Sequence, residues 1–404
     1  MEKAITLPVT DDITWIGIPD PNLVTFDVVM ETKYGTTYNS YFVNADKKTI
    51  IETAKENFRE IYLEKVRQVT NPGEIKYIIL NHTEPDHSGS LKYLLEIAPQ
   101  ATVVGTGNAL RYLEDIIGMP FRSMKVKDGD TLDLGNKTLR FIGAPNLHWP
   151  DTMYTWIEED RVLFTCDSFG AHYCDERMFD DLVDNFDEAF TYYFDVILKP
   201  YSKFMLKAIG KIDQLDIRII APGHGPILRQ NWKKYVELSR DYARKYLEVQ
   251  EHSRPVILIA YVSAYGYTAE MGKSIADGIK DAGQAEVRFL DLEHVSIREM
   301  EENLIKADGI IVGSPTINQN TLLPLYKLMS VINPLRDKGK PAAVFGSYGW
   351  SGEGPEIIAG MLRSLKLKLA DEVQKIRFSP HDATHEKTKL LKDFGKTFFR
   401  HLGK

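Results

Sequence analysis

Seven side chains in the first 225 residues combine a metal-binding type with a place in a polar segment after an apolar run. The stretch Asn81-His82-Thr83-Glu84-Pro85-Asp86-His87-Ser88-Gly89 places His82, Glu84, Asp86 and His87 within six residues. No single face of a strand or helix presents all four, so they converge only if the segment is a tight loop, which Pro85 and Gly89 favour. Three more donors follow: His148 in Leu147-His148-Trp149-Pro150-Asp151, Asp167 in Cys166-Asp167-Ser168, and His224 in Ala221-Pro222-Gly223-His224-Gly225. One such histidine alone is ordinarily a hydrogen-bonded surface or core residue. Four His with one Glu and two Asp, all in polar segments after apolar runs, read together as the donor set of a metal centre.

Strands must hold these donors in place. Short apolar runs predict strands at Tyr41–Val43, Ile75–Leu80, Ala101–Val104, Leu139–Ile142, Met153–Ile157, Arg161–Thr165 and Ile217–Ala221. The candidate donors fall in segments that follow such runs, and loops at strand ends combine a rigid base with a backbone free to turn. Strands that close in sequence, with helices outside, predict a mixed α/β layered domain. Trp232–Glu251 reads as a polar helix ending in His252-Ser253-Arg254-Pro255, and Pro255 disfavours helix before it. The expected domains are 1–252 and 253–404.

From Pro255 onward strands and helices alternate. Val256–Tyr261, Glu286–Leu290, Gly309–Gly313 and Pro341–Gly346 read as buried strands with helices between, which predicts a doubly wound parallel sheet. The first strand runs into Ser263-Ala264-Tyr265-Gly266-Tyr267-Thr268 and then a helix, so free backbone N–H groups and hydroxyls would face an anion there. With no Walker-type lysine, a static monophosphate fits better than a hydrolysed triphosphate. Two later loops sit at carboxyl ends of parallel strands, where such sheets bind ligands: Gly313-Ser314-Pro315-Thr316-Ile317-Asn318 and Gly346-Ser347-Tyr348-Gly349-Trp350-Ser351-Gly352-Glu353. Tyr348 or Trp350 would stack on a flat ring, and Gly349 would let backbone approach it.

Composition narrows the classes. With 404 residues, 43% hydrophobic and 26% charged, the chain is globular and long enough for two domains. The net charge is −7 without a long basic run, against a dedicated nucleic-acid binder. Two cysteines, Cys166 and Cys174, build neither a disulfide framework nor a four-cysteine site, and both read as small buried hydrophobes. No apolar run approaches the ~18–20 residues of a membrane span and no signal-peptide pattern precedes Ile5, so a cytoplasmic protein is expected.

The first-half motifs resemble the metallo-β-lactamase-like fold, whose first loop normally reads H-x-H-x-D-H; here Glu84 replaces the second His. Imidazoles with one carboxylate suit zinc, whereas three carboxylates shared by two metals stabilise higher-valent iron. H-x-E-x-D-H, LHWPD, C-D-S-F-G and P-G-H-G, with an FMN-site-like second half and its SYGW, resemble the flavodiiron proteins over nearly the whole chain. The resemblance implies one iron on His82, Glu84 and His148 and another on Asp86, His87 and His224. Asp167 and a solvent ligand would bridge them, with dioxygen or nitric oxide on the open side. It also implies a pocket lined by His172 and Tyr193, a loop fixed by Trp149 and Pro150, and FMN in the second domain. One departure is the early segment where many members carry a His and this chain reads Asn22-Leu23-Val24-Thr25-Phe26-Asp27.

Flavin and irons within one such chain would be too far apart for rapid transfer. The family's head-to-tail homodimer, or a dimer of dimers, is therefore the implied assembly. No C-x-x-C pair follows the second domain, so the donor is expected to be external. Layout and the variant early loop look most like the methanogen oxidases fed by reduced coenzyme F420, which would pass a hydride to FMN. The alternatives are a rubredoxin-fed enzyme acting on nitric oxide or dioxygen, a zinc hydrolase fused to a flavodoxin, and an electron carrier in which only the FMN domain works.

Overall fold

A computed structural model describes residues 5–26, 30–248, 253–381 and 384–402, with backbone alone at 371–372. The chain divides into two units, Met1–Tyr246 and Leu247–Lys404. The boundary expected after residue 252 falls in 249–252, outside the described residues.

In the first unit the sheets follow chain order. Leu7–Pro8, Ile13–Trp15, Tyr41–Val43, Thr49–Ile51, Tyr77–Ile79, Thr102–Gly105 and Arg122–Lys125 form a seven-stranded sheet whose last four strands are parallel. Thr131–Asp133, Thr138–Gly143, Met153–Ile157, Val162–Cys166 and Ile219–Pro222 form a second, five-stranded sheet. Its final pair is parallel, and the others are antiparallel.

Strand alternation makes the layers. Ile13, Trp15, Val43, Ile51, Ile79 and Val104 of the first sheet pack with Phe141, Met153, Phe164 and Ala221 of the second in one buried cluster. Their neighbours Ile50, Ile78, Val103, Ile142, Leu163 and Ile220 turn the other way, in a cluster with helix residues such as Tyr62, Leu94 and Met205. Strands covered on both faces read as continuous apolar runs, and the outcome is the helix–sheet–sheet–helix layering of the expected fold class.

The second unit is a five-stranded sheet in the order Glu286–Asp291, Val256–Tyr261, Gly309–Gly313, Pro341–Tyr348, Lys368–Arg377, parallel throughout. Leu258, Ala260, Ile310 and Val344 face one buried cluster, while Ile257, Ile259, Ile311 and Phe345 face another. This is the expected doubly wound sheet. Among the described residues no helix is long and apolar enough to cross a membrane.

Two helices of this unit, Tyr267–Ala282 and Glu386–Leu402, touch backbone to backbone. An ideal Cβ on Gly278 would lie 1.9 Å from the Lys392 carbonyl oxygen, and one on Gly395 would lie 2.1 Å from that of Ile275. Gly278→Ala must therefore push the helices apart, at a cost of about 1–3 kcal/mol. Gly360→Ala, in the open on helix Gly354–Ser364, is expected to stabilise the chain by about 0.4–1 kcal/mol. Urea unfolding midpoints of the two variants should move in opposite directions.

Candidate functional site

The donors of the first unit come together at the carboxyl ends of its strands. His82 and Glu84 follow strand Tyr77–Ile79, but Asp86 and His87 do not lie in a loop, as the sequence suggests: Pro85–Ser88 forms one helical turn. Pro85 stands in its first turn, where the missing N–H costs nothing. Asp167 follows Val162–Cys166 and His224 follows Ile219–Pro222, and the parallel pairing of these strands, Cys166 against Pro222, sets the two donors side by side. Gly223 between them has no room for a side chain, because a Cβ there would lie 2.7 Å from Cε1 of His87.

The geometry separates the donors into two sets around one carboxylate. Glu84 Oε2 lies 3.2 Å from His82 Nε2 and 3.0 Å from His148 Nε2, and these imidazoles lie 3.6 and 3.5 Å from Asp167 Oδ2. Asp86 Oδ2 lies 3.5 Å from His87 Nε2 and 3.1 Å from His224 Nε2, and these lie 3.2 and 3.4 Å from Asp167 Oδ1. Ligands about 2.1 Å from one ion, at ordinary coordination angles, are themselves about 3.0–3.4 Å apart. Both Asp86 oxygens and Asp167 Oδ2 are buried without a hydrogen-bond partner. The residues thus fit two cations sharing Asp167.

Electrostatics agrees with the geometry. Burial opposes charge at His82, yet Asp151 and Glu84 outweigh it and push that imidazole well above its ordinary range. Asp167 and Asp86 likewise overcome burial and push His224 up to about 10. Burial also opposes ionisation of Asp167, but His87 and His224 hold it well below the usual carboxylate range. In the bare chain, protons on imidazoles supply the positive charge that the carboxylates demand.

Residues behind the donors aim them. His82 Nδ1 meets Asp151 at 3.2 Å, and Asp151 Oδ2 accepts from the Thr83 N–H and hydroxyl, each at 2.8 Å. His224 Nδ1 meets the Thr37 carbonyl at 2.6 Å. Trp149 sets its ring edge-on to His82, centroids 5.1 Å apart, and its carbonyl accepts from Asn146 N–H and the Thr152 hydroxyl. Cys166 is buried with Sγ 3.7 Å from His87 Nδ1, and Glu52, a buried carboxyl that burial raises to about 7, completes a group with them. Cys174 is only half-buried, a correction to its reading as a core residue, because it lies on the irregular stretch between Val162–Cys166 and Ile219–Pro222.

Tyr193 donates its hydroxyl to Asp167 Oδ1 at 3.1 Å. His172 is buried beside Tyr193 and His224, ring centroids 4.8 and 5.3 Å away, with Nδ1 on the Thr36 hydroxyl and Nε2 unpartnered. Burial and the charge of His224 depress His172 to about 3, so it stays neutral. Phe26 caps both rings, 4.5 Å from His172 and 5.5 Å from His224; Asp27 lies outside the described residues. Asp151, Glu52, Thr37 and Phe26 were not singled out as functional in the sequence. Asp151 had a signal, an acid three residues beyond a candidate ligand, and the others had none.

In the second unit Tyr265, Tyr267, Pro315, Thr316, Ile317, Asn318, Ser347, Tyr348, Gly349, Trp350 and Ser351 line one cleft of ≈ 290 Å³, together with Phe378, which the sequence did not suggest. Ile317 and Asn320 exchange backbone hydrogen bonds around Asn318 and Gln319, a tight turn that presents Asn318 to the cleft. Ser263, Ala264, Gly266, Thr268 and Ser314 do not stand on its wall. Ser263 Oγ instead accepts from Ala269 N–H at 3.1 Å, Thr268 pairs with Ser347 at 2.9 Å, and Ser314 donates to the Pro315 carbonyl. Gly266, in the left-handed region at φ 84°, opens helix Tyr267–Ala282 beside the cleft.

Removing Asp151 frees the ring of His82 without touching a donor. Asp151→Ala is expected to weaken iron binding by about 10–100-fold. Competition with a chromophoric chelator measures it, and an unchanged affinity would contradict the aiming role.

Residues 36–225 match the family described as ODP family beta lactamase, and 259–389 match Flavodoxin. The chain is 38% identical to the type A flavoprotein fprA of Rhodobacter capsulatus, over 98% of this chain and 91% of that protein. It is also 38% identical to the flavo-diiron protein FprA2 of Clostridium acetobutylicum, over 97% and 99%. Among solved structures it is similar to the rubredoxin oxygen:oxidoreductase of Desulfovibrio gigas (TM-score 0.67, 27% identity, 99% of each chain). It is similar too to the flavodiiron protein of Giardia intestinalis (TM-score 0.65, 28% identity, 100% and 98%). A metallo-β-lactamase-like unit with two donor sets, followed by a flavodoxin unit and matched end to end by such relatives, makes this chain a member of the flavodiiron, or A-type flavoprotein, family.

Proposed function

We propose that this chain reduces dioxygen to water at a diiron site, with electrons passing through FMN from reduced coenzyme F420. The observation that carries the reading is Asp167, whose two oxygens face separate donor sets. In this reading His82, Glu84 and His148 would hold one iron, Asp86, His87 and His224 the other, and Asp167 would serve both. The cleft of the second unit would hold FMN, with Tyr348 and Trp350 available to its ring and the loop Ser263–Thr268 to its phosphate. When bound, two irons supply two electrons and FMN two more, the four that take dioxygen to two waters.

The chain's own side chains set the conditions for that chemistry. Glu84 and His148 are the partly exposed donors, 12% and 19% accessible, so small molecules enter from their side. Phe26, His172 and Tyr193 close over the buried half and exclude water. Tyr193 steadies Asp167 and keeps its own proton, since burial and the charge of Asp167 raise it well above the ordinary tyrosine range. Neutral His172, with Nε2 free, is placed to exchange a hydrogen bond with a small ligand there. The exposed aromatic mouth of the cleft, Tyr265 and Trp350, supports a flat donor such as a deazaflavin. A cytoplasmic head-to-tail homodimer, or a dimer of dimers, completes the reading.

The Desulfovibrio gigas relative is named for rubredoxin, which supports a second reading in which rubredoxin is the donor and nitric oxide a substrate beside dioxygen. Anaerobic stopped-flow reduction of the iron- and FMN-loaded chain separates the two. Rapid flavin bleaching by reduced coenzyme F420, then reoxidation by dioxygen without hydrogen peroxide, is the expected result. Bleaching by reduced rubredoxin alone selects the second reading. Glu84→Ala should keep flavin reduction and lose dioxygen consumption by at least about 100-fold, the scale of removing a group that stabilises the reacting centre; unchanged consumption would contradict both readings.

A further inference from the structure

One wall of the flavin cleft comes from an unexpected strand. Doubly wound sheets bind ligands near the point where strand order reverses, here between Val256–Tyr261 and Gly309–Gly313. Phe378 follows Lys368–Arg377, the sheet's far edge strand, and still lines the cleft.

Phe378 carries two features that folding alone does not reward. The residue is 54% accessible, a large apolar side chain left in water. Its backbone lies in the left-handed region at φ 57°, which a bulky side chain adopts only under strain. The surroundings nevertheless hold it firmly. Its N–H donates to the Tyr348 carbonyl at 2.8 Å, Arg377 Nε donates to the Gly349 carbonyl at 3.0 Å, and Lys387 Nζ donates to the carbonyls of Arg377 and Ser379 at 3.0 and 3.1 Å. The ring rests against Gly349, where a Cβ would meet its Cε1 at 3.4 Å.

We propose that Phe378 is a flavin-contacting residue whose ring covers an edge of the isoalloxazine and shields it from water, a role that rests on the reading of this cleft as the FMN site. Such a contact explains both features at once: the exposed surface is covered when flavin binds, and the strained backbone is what turns the ring into the cleft. It belongs to the ring end of the cofactor, whereas the loop Ser263–Thr268 serves the phosphate.

The test uses the flavin-free full chain and fluorescence titration with FMN and with riboflavin, which lacks the phosphate. Phe378→Gly removes the ring and suits the positive φ, so the urea midpoint of the flavin-free chain should stay the same or rise. Dissociation constants for both flavins should rise by about tenfold, the scale of one aromatic contact with its buried area. Phe378→Leu should fall between. Opposite movement of stability and affinity is a result that a structural role cannot produce. Equal FMN affinity in wild type and Phe378→Gly would overturn the proposal while leaving the flavin reading intact. A loss confined to FMN, with riboflavin unaffected, would also overturn it, by placing Phe378 at the phosphate end. Failure of the wild-type chain to take up FMN would overturn the flavin reading and this role with it.

Discussion

The negative charge of Asp167 is the constraint around which the first unit is arranged. A buried carboxylate without compensation costs several kcal/mol, and Asp167 is 2% exposed. Imidazoles surround it: His82 and His148 on one oxygen, His87 and His224 on the other. The arrangement is satisfied by protons on His82, His87 and His224 or by cations between the rings. Everything nearer the backbone serves the convergence. The parallel register of Cys166 with Pro222 brings Asp167 beside His224, Gly223 leaves space for His87, and Asp151 and the Thr37 carbonyl hold two rings at their far nitrogens.

The two units solve one problem by different means. A strand buried on both faces needs apolar side chains along its whole length, so polar chemistry is displaced to the loops at its ends. In the first unit those loops carry charge and bury it. In the second, hydroxyls such as Thr268, Ser347 and Ser314 are spent on bracing the loops to one another, and aromatic rings form the walls. The donor cluster is consequently shielded and electrostatically stiff, while the cleft is open and apolar at its mouth.

The donors were legible in the sequence because imidazoles and carboxylates after apolar runs are a pattern that ordinary packing does not produce. The strands bearing them were legible for the same reason, as short apolar runs with sharp ends. What escaped notice has no local signature. Asp151 becomes important only because the chain after His148 returns it to His82, 69 positions away. Glu52 sits in the polar-looking stretch Glu52–Glu56 and is buried by contacts from distant segments. Pro85 was legible as a breaker but acts as the first residue of a helical turn, since both roles use the same fixed φ. Lys368–Arg377 mixes charged and apolar residues as edge strands do, so neither it nor Phe378 beyond it stood out.

Whether Asp167 is shared by two metals can be read magnetically. Mössbauer spectra of the oxidised, iron-loaded chain in an applied field report whether its ferric ions are coupled. A bridged pair gives a diamagnetic ground state that accounts for all the bound iron, and this is the result the geometry predicts. Magnetically isolated ferric ions, or binding that saturates at a single ion per chain, would contradict it.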